Sequence, residues 1–200
     1  MTITRMSIRN ALFALCLFCA SAVAQDFAHP WNPRTGDAWT DRQLADVNAY
    51  AARYRDAYID ELVRYFDAPR ALVTELMVER RWAPADVYYA CAIARVAGRP
   101  CRAVADIWAQ GYAEGWEPIA RRMGVAPDSP EAMRLKLGFV DSYAHWARPI
   151  ELDAELARET RKRAKAKARA EAKAKAEADA KTKADARAKA KANAARSKGG

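Results

Sequence analysis

From about Ala157 onward the chain contains nothing that can fill a hydrophobic core. Residues 158–200 (RETRKRAKAKARAEAKAKAEADAKTKADARAKAKANAARSKGG) hold no aromatic residue, no proline and no Leu, Ile or Val, and Ala alternates with a charged residue almost strictly. Ordering a residue costs about 1–2 kcal/mol of backbone entropy, so a folded core has to be built by the residues before this break. Wound as a helix, a period of two spreads Ala around every side and leaves no apolar stripe. That excludes a coiled-coil seam and an amphipathic membrane-surface helix. Ala and Lys favour helix, and Glu171 with Lys175, Glu177 with Lys181 and Asp185 with Lys189 are i,i+4 pairs in the favourable order. Arg169 with Lys173 and Arg187 with Lys191 repel. The expected state is a solvated segment, helical or disordered, without a packed core.

The break also divides the charge. The formal net charge of the 200 residues is +9. Residues 25–157 carry 16 Lys/Arg against 20 Asp/Glu, whereas residues 158–200 carry 16 against 5. The overall basicity therefore describes the tail and not a face of the fold.

At the other end, Arg5 and Arg9 precede an apolar run, ALFALCLFCA, and Ala22-Val23-Ala24 forms a small-x-small site. This is the layout of a secretory signal peptide over residues 1–24, with Gln25 as the mature N-terminus. The run is too short for a bilayer-spanning helix. The expected compartment is the periplasm or the exterior, with no transmembrane segment in the mature chain. Cys16 and Cys19 would leave with the signal, and neither follows a lipoprotein sequence. Cys91 and Cys101 remain, and in an oxidising compartment they are expected to pair as a disulfide.

Between the two ends the periodicity is helical. Residues 25–39 hold two prolines and a glycine and read as an irregular lead-in pinned by Phe27 and Trp31. A capping-box pattern, Thr40 with Gln43, opens one long amphipathic helix to Phe66 along Leu44, Val47, Tyr54, Tyr58, Leu62 and Tyr65. Asp67 is placed to cap a second helix with Leu72, Val73, Leu76 and Met77 inward and Arg80 and Arg81 in its last turn. Pro84 starts a third helix that is apolar all round, hence central, stopped by Gly98. Further helices follow from Pro100 to Gly111, from Trp116 to Met123, and from Ser129-Pro130 to Trp146, with Pro149 ending the last. No run alternates with a strand period outside the tail. The expected fold is all-α: a small bundle of five to six helices over residues 40–157.

Residues 115–125 run Gly115-Trp116-Glu117-Pro118-Ile119-Ala120-Arg121-Arg122-Met123-Gly124-Val125. The phrase Gly-Trp-x-x-Ile-Ala-x-x-x-Gly-Val resembles a recurrent pattern of secreted bacterial helical proteins, a resemblance that implies a shape and no activity. Its second half also resembles the Ile-Ala-x-x-x-Gly-Val phrase of helix-turn-helix DNA readers. That likeness would put Arg121 and Arg122 on phosphates, against a plain reading in which Ile119, Ala120 and Met123 pack inward. The tail resembles the Lys/Ala-rich spacers of periplasm-spanning Tol-type proteins and the tails of linker histones.

Catalytic chemistry is thinly represented. His145 follows Asp141 by four residues, so an Asp–His pair on one helix face is sterically allowed, while Asp60, Glu61 and Glu79 read as surface carboxylates. No phosphate-cradling glycine loop, zinc-ligand spacing or nucleophile elbow is present, and no cofactor or metal is expected. Trp82, Trp108, Trp116 and Trp146 are expected to close helix junctions. The sequence points to a non-enzymatic, envelope-associated module. Its cations Arg161, Lys162, Arg163, Lys165, Lys167, Arg169, Lys173 and Lys175 would bind anionic polymers or lipids. Non-specific nucleic-acid binding by the same tail, or a periplasmic enzyme centred on His145, are the alternatives.

Overall fold

The computed structural model describes residues 27–196; the expected signal segment, with Cys16, Cys19 and the cleavage site before Gln25, lies outside the described residues. Those residues form eight α-helices and no strand, an all-α fold. They are α1 (Ala38–Arg53), α2 (Arg55–Tyr65), α3 (Arg70–Thr74), α4 (Pro84–Ala97), α5 (Cys101–Gly111), α6 (Trp116–Arg122), α7 (Pro130–His145) and α8 (Ala154–Arg196).

The count exceeds the expected five to six for two reasons. The long helix expected from Thr40 to Phe66 is broken at Tyr54, whose backbone leaves the helical region (φ −130°, ψ 54°). A straight helix would point Tyr54 along the same stripe as Ala51 and Tyr58. Instead Tyr54 is exposed, and the bend lets α1 pack on α4 while α2 packs on α3. The second reason is that the tail itself is a helix, α8.

The caps also differ from the sequence reading. Asp37, not Thr40, caps α1: its Oδ1 accepts the Thr40 N–H at 2.6 Å. Asp67 does not cap α3; its φ is +53°, and Pro69 occupies the cap position. The last turn after α3 widens into a π-helix over Glu75–Glu79, which carries Arg80 past the helix end. The turn at the end of α7 is made by Trp146 and Ala147 (φ +53°) before Pro149 is reached.

α4 is the centre of the bundle, as its all-round apolarity implies: every residue from Pro84 to Ala94 is buried. It has no capping side chain of its own. The buried Asn48 Oδ1 of α1 accepts the Ala85 N–H at 2.8 Å instead, and the Tyr58 hydroxyl donates to the Pro84 carbonyl at 2.6 Å. One orphan N–H of the helix start is thus satisfied from α1, and the Pro84 carbonyl gains a donor from α2. At its other end Gly98 takes the left-handed conformation (φ +64°) and turns the chain into α5. Cys91 on α4 and Cys101 on α5 sit at disulfide distance, Cα–Cα 4.4 Å, with both side chains buried.

The tryptophans fill helix junctions. Trp108 of α5 stacks on Trp116 of α6 at 3.9 Å, Tyr89 meets Trp116 edge-on, and the Trp116 indole N–H donates to Asp86 Oδ1 at 2.7 Å. The lead-in is tied down chiefly by its backbone: the Pro33 and Arg34 carbonyls accept the N–H groups of Trp116 and Glu117 at 2.9 and 3.0 Å. α8 starts at Ala154, ahead of the composition break. Asp153 caps it, its Oδ1 accepting the Leu156 N–H at 2.7 Å, and the Leu156 side chain is fully buried.

Candidate functional site

Two features stand apart from ordinary packing: the surface of α8, and a groove at its root.

From Arg161 to Ala186 every side chain of α8 is exposed. Among the described residues, Arg163 pairs with Asp141 of α7 at 2.8 Å and Lys162 with Glu159 at 3.3 Å. Lys167 and Lys173 approach Glu171 and Glu177 only to 3.9 and 3.8 Å. These last two contacts replace the expected pairs of Glu171 with Lys175 and Glu177 with Lys181: each acid turns back toward the cation preceding it. Arg161, Lys165, Arg169 and Lys175 have no ion-pair partner among the described residues. At about 100° per residue, Arg161, Lys162, Lys165, Arg169 and Lys173 fall within an arc of about 120°. No acidic residue of that stretch shares the arc. Arg163 and Lys167 lie on another side of the helix and face the bundle.

That side closes a groove of about 630 Å³ between α2, α4, α7 and α8. At its floor the carboxylate of Glu61 is 3 % exposed, and the expectation that it is a surface group fails. Its Oε1 accepts from the Ser142 hydroxyl at 2.7 Å, and both oxygens lie 3.0 Å from His145 Nδ1. Because Ser142 donates to Glu61, its oxygen is left to accept from the Tyr88 hydroxyl at 2.9 Å. Burial pushes the Tyr88 hydroxyl far above the ordinary tyrosine value, so it stays a donor. The His145 ring, one-third exposed, stacks on Tyr65 at 3.8 Å. With Nδ1 turned to the carboxylate, Nε2 is on the opposite edge of the ring.

The pair expected between Asp141 and His145 does not form, because Asp141 is turned to Arg163. Glu61, missed in the sequence, carried one signal: three residues after Tyr58 and next to Leu62, it falls on the inward stripe of α2. Ser142 is fully buried and its hydroxyl proton is committed to Glu61, so it is not placed as a nucleophile toward the groove. Among the described residues no group of three or more His, Cys, Asp or Glu is arranged to hold a metal ion. A smaller recess of about 260 Å³ lies across α7, between Thr35, Tyr89 and Glu155. Lys136 is on its wall, bridging Asp37 at 2.6 Å and Asp153 at 3.6 Å and so joining α1, α7 and the start of α8.

The segment with the helix-turn-helix likeness is packed as a structural unit. Ile119 and Ala120 are buried, Arg121 pairs with Glu117 at 2.9 Å, and the N-terminus of α6 is covered by the lead-in carbonyls. A recognition helix presents that end to DNA. No helix among the described residues is long and apolar enough to cross a membrane.

The fold and its surface define an all-α bundle with a cysteine pair at disulfide distance between two helices and a long cationic helical extension. No family model, curated protein or solved structure matches the chain.

Proposed function

We propose that the chain is an exported, non-enzymatic helical protein that acts by binding, its α8 arm docking on anionic polymers or lipids of the cell envelope. The observation that carries this reading is the stripe of Arg161, Lys162, Lys165, Arg169 and Lys173, exposed along one side of α8 with no acid among them. Each such cation near an anionic surface contributes about 1 kcal/mol, fading beyond a Debye length of about 8 Å at physiological salt. The compartment rests on the signal-like layout of residues 1–24 and on the Cys91–Cys101 pair, which is compatible with an oxidising environment.

The test is sedimentation of the mature chain with phosphatidylglycerol vesicles and with lipopolysaccharide, against a variant in which the five stripe residues are Gln. Binding by the mature chain that weakens with salt and is lost in the variant supports the reading; equal binding by both sinks it. Duplex DNA added as competitor at about 0.15 M salt separates the nucleic-acid alternative, since any polyanion gives a steep salt dependence. DNA displacing the chain from lipopolysaccharide at equal charge would favour that alternative.

A second reading, an enzyme centred on His145, draws on the Glu61–His145 contact, because a carboxylate on Nδ1 is the arrangement that orients an imidazole base. An unchanged cellular phenotype on His145→Ala would dispose of it.

A further inference from the structure

The groove under α8 is built differently from the arm. Its lining includes an apolar surface beside Glu61, from Phe66 at the C-terminal cap of α2, Val96 of α4 and Leu137 of α7. Its rim is cationic, with Arg95, Arg134 and Lys167 contributed by three different helices. The two acids that line it are both occupied: Glu61 is held by Ser142 and His145, and Asp141 by Arg163. The Arg95 guanidinium itself lies over the Phe66 ring, 5.6 Å from its centre, so the charge and the apolar ring are presented side by side. Arg134 shares only the half-buried Glu131 one turn before it. The volume, about 630 Å³, is within the usual range for small-molecule sites.

We infer that this groove is a binding site for a single amphiphilic phosphate, a phosphate monoester carrying an alkyl or aryl group. Of the four cations, Arg163 is held by Asp141, Arg134 and Lys167 meet only acids of their own helices, Glu131 and Glu171, and Arg95 has no acidic partner among the described residues, an arrangement that suits an anionic head. The planar forks of Arg95 and Arg134 suit phosphate oxygens better than point charges do. Phe66, Val96 and Leu137 give the apolar group a surface that a naked anion would leave wet. The Glu61 contact fixes the His145 ring, which with the stacked Tyr65 ring lines one wall. This site does not depend on the arm reading: of α8 it uses Arg163 and Lys167, and none of the five stripe residues.

The chain has two histidines, and His29 stacks on Tyr112 in the lead-in, so His145 has an internal control. The experiment follows both histidine ring signals of the full chain by NMR during titration with octyl phosphate, inorganic phosphate and octyltrimethylammonium. Octyl phosphate at millimolar concentration is expected to shift the His145 signals saturably and leave those of His29 in place. It should bind about tenfold or more tightly than either partial analogue, a difference of about 1.4 kcal/mol. R95Q with R134Q should weaken it by a similar factor while the near-ultraviolet dichroism stays native; R121Q, away from the groove, should not. No shift at His145 overturns the site. Equal binding of inorganic phosphate, or of the cationic amphiphile, overturns the amphiphilic phosphate as its ligand. Loss of vesicle binding in the stripe variant with octyl phosphate binding intact would show the two surfaces to be separate.

Discussion

Glu61 on α2 and His145 on α7 are 84 residues apart in sequence and 3.0 Å apart in space, and the contact lies over a hydroxyl chain running from Tyr88 through Ser142. The bonds converge on one buried carboxylate. A buried acid stripped of its partners, or partners stripped of their acid, costs more than the pair contributes net. Glu61→Ala should therefore destabilise the fold by about 2–3 kcal/mol, the cost of leaving buried hydrogen-bond partners without their acceptor. Glu61→Gln, which keeps an acceptor, should cost less than half of that. Urea unfolding followed by tryptophan fluorescence distinguishes the two; equal midpoints for wild type and Glu61→Ala would show that the network contributes nothing.

Burial lifts the Asp86 carboxyl from its ordinary value near 3.8 to about 7, against the lowering effect of its bond from the Trp116 indole. The folded state therefore binds a proton that the unfolded chain releases between about pH 4 and pH 7. Stability associated with this group is present below the unfolded value and is lost as pH rises through the folded value. Asp86→Asn keeps the acceptor for Trp116 and removes the charge. The variant should match wild type near pH 4 and exceed it by about 4 kcal/mol at pH 8. Other carboxylates cancel in the difference between the two proteins. A difference that is constant with pH would show that Asp86 titrates normally.

How far the sequence predicts this fold depends on the range of the interaction. Proline starts, glycine stops and the all-round apolarity of α4 are local, and Pro84, Gly98 and Ser129 stand where those rules put them. The bend at Tyr54 has no Pro or Gly to announce it; it arises because α1 and α2 pack on different neighbours. Asp37 displaced Thr40 as a cap because Thr35 and Lys136 also hold that corner. The groove was legible only in pieces. His145 stood out as a rare residue, but its partner comes from α2, 84 residues away, and Asp141, the local candidate, is drawn off by Arg163 from beyond the composition break.

The Cys91–Cys101 pair closes a loop of sequence separation 10 between two helices that also pack on each other. By loop-entropy arguments such a bridge stabilises by about 2.5–3 kcal/mol. Both side chains are buried, so the double Ala variant tests the bridge without burying hydroxyls. It should lose about that amount in urea, and wild type in excess reductant should fall to the same midpoint. Identical midpoints for oxidised and reduced wild type would show that packing alone holds α4 to α5.

Gly115 and Gly98 both have positive φ, yet their surroundings differ. A Cβ at Gly98 would meet nothing within 4 Å, whereas at Gly115 it would stand 2.8 Å from Arg34 Cβ and 3.3 Å from the Arg34 carbonyl oxygen. That carbonyl and its neighbour at Pro33 are what satisfy the first N–H groups of α6. Gly98→Ala should therefore cost about 1 kcal/mol, the ordinary penalty of a left-handed residue with a side chain. Gly115 (φ +86°, ψ −176°) lies in a region essentially confined to glycine, so Gly115→Ala carries a larger conformational penalty and must also push the lead-in off α6. The expected signature is specific: limited proteolysis within residues 27–37 becomes faster in Gly115→Ala and stays at the wild-type rate in Gly98→Ala. Equal protection of the lead-in in both variants would show that its attachment does not run through the start of α6.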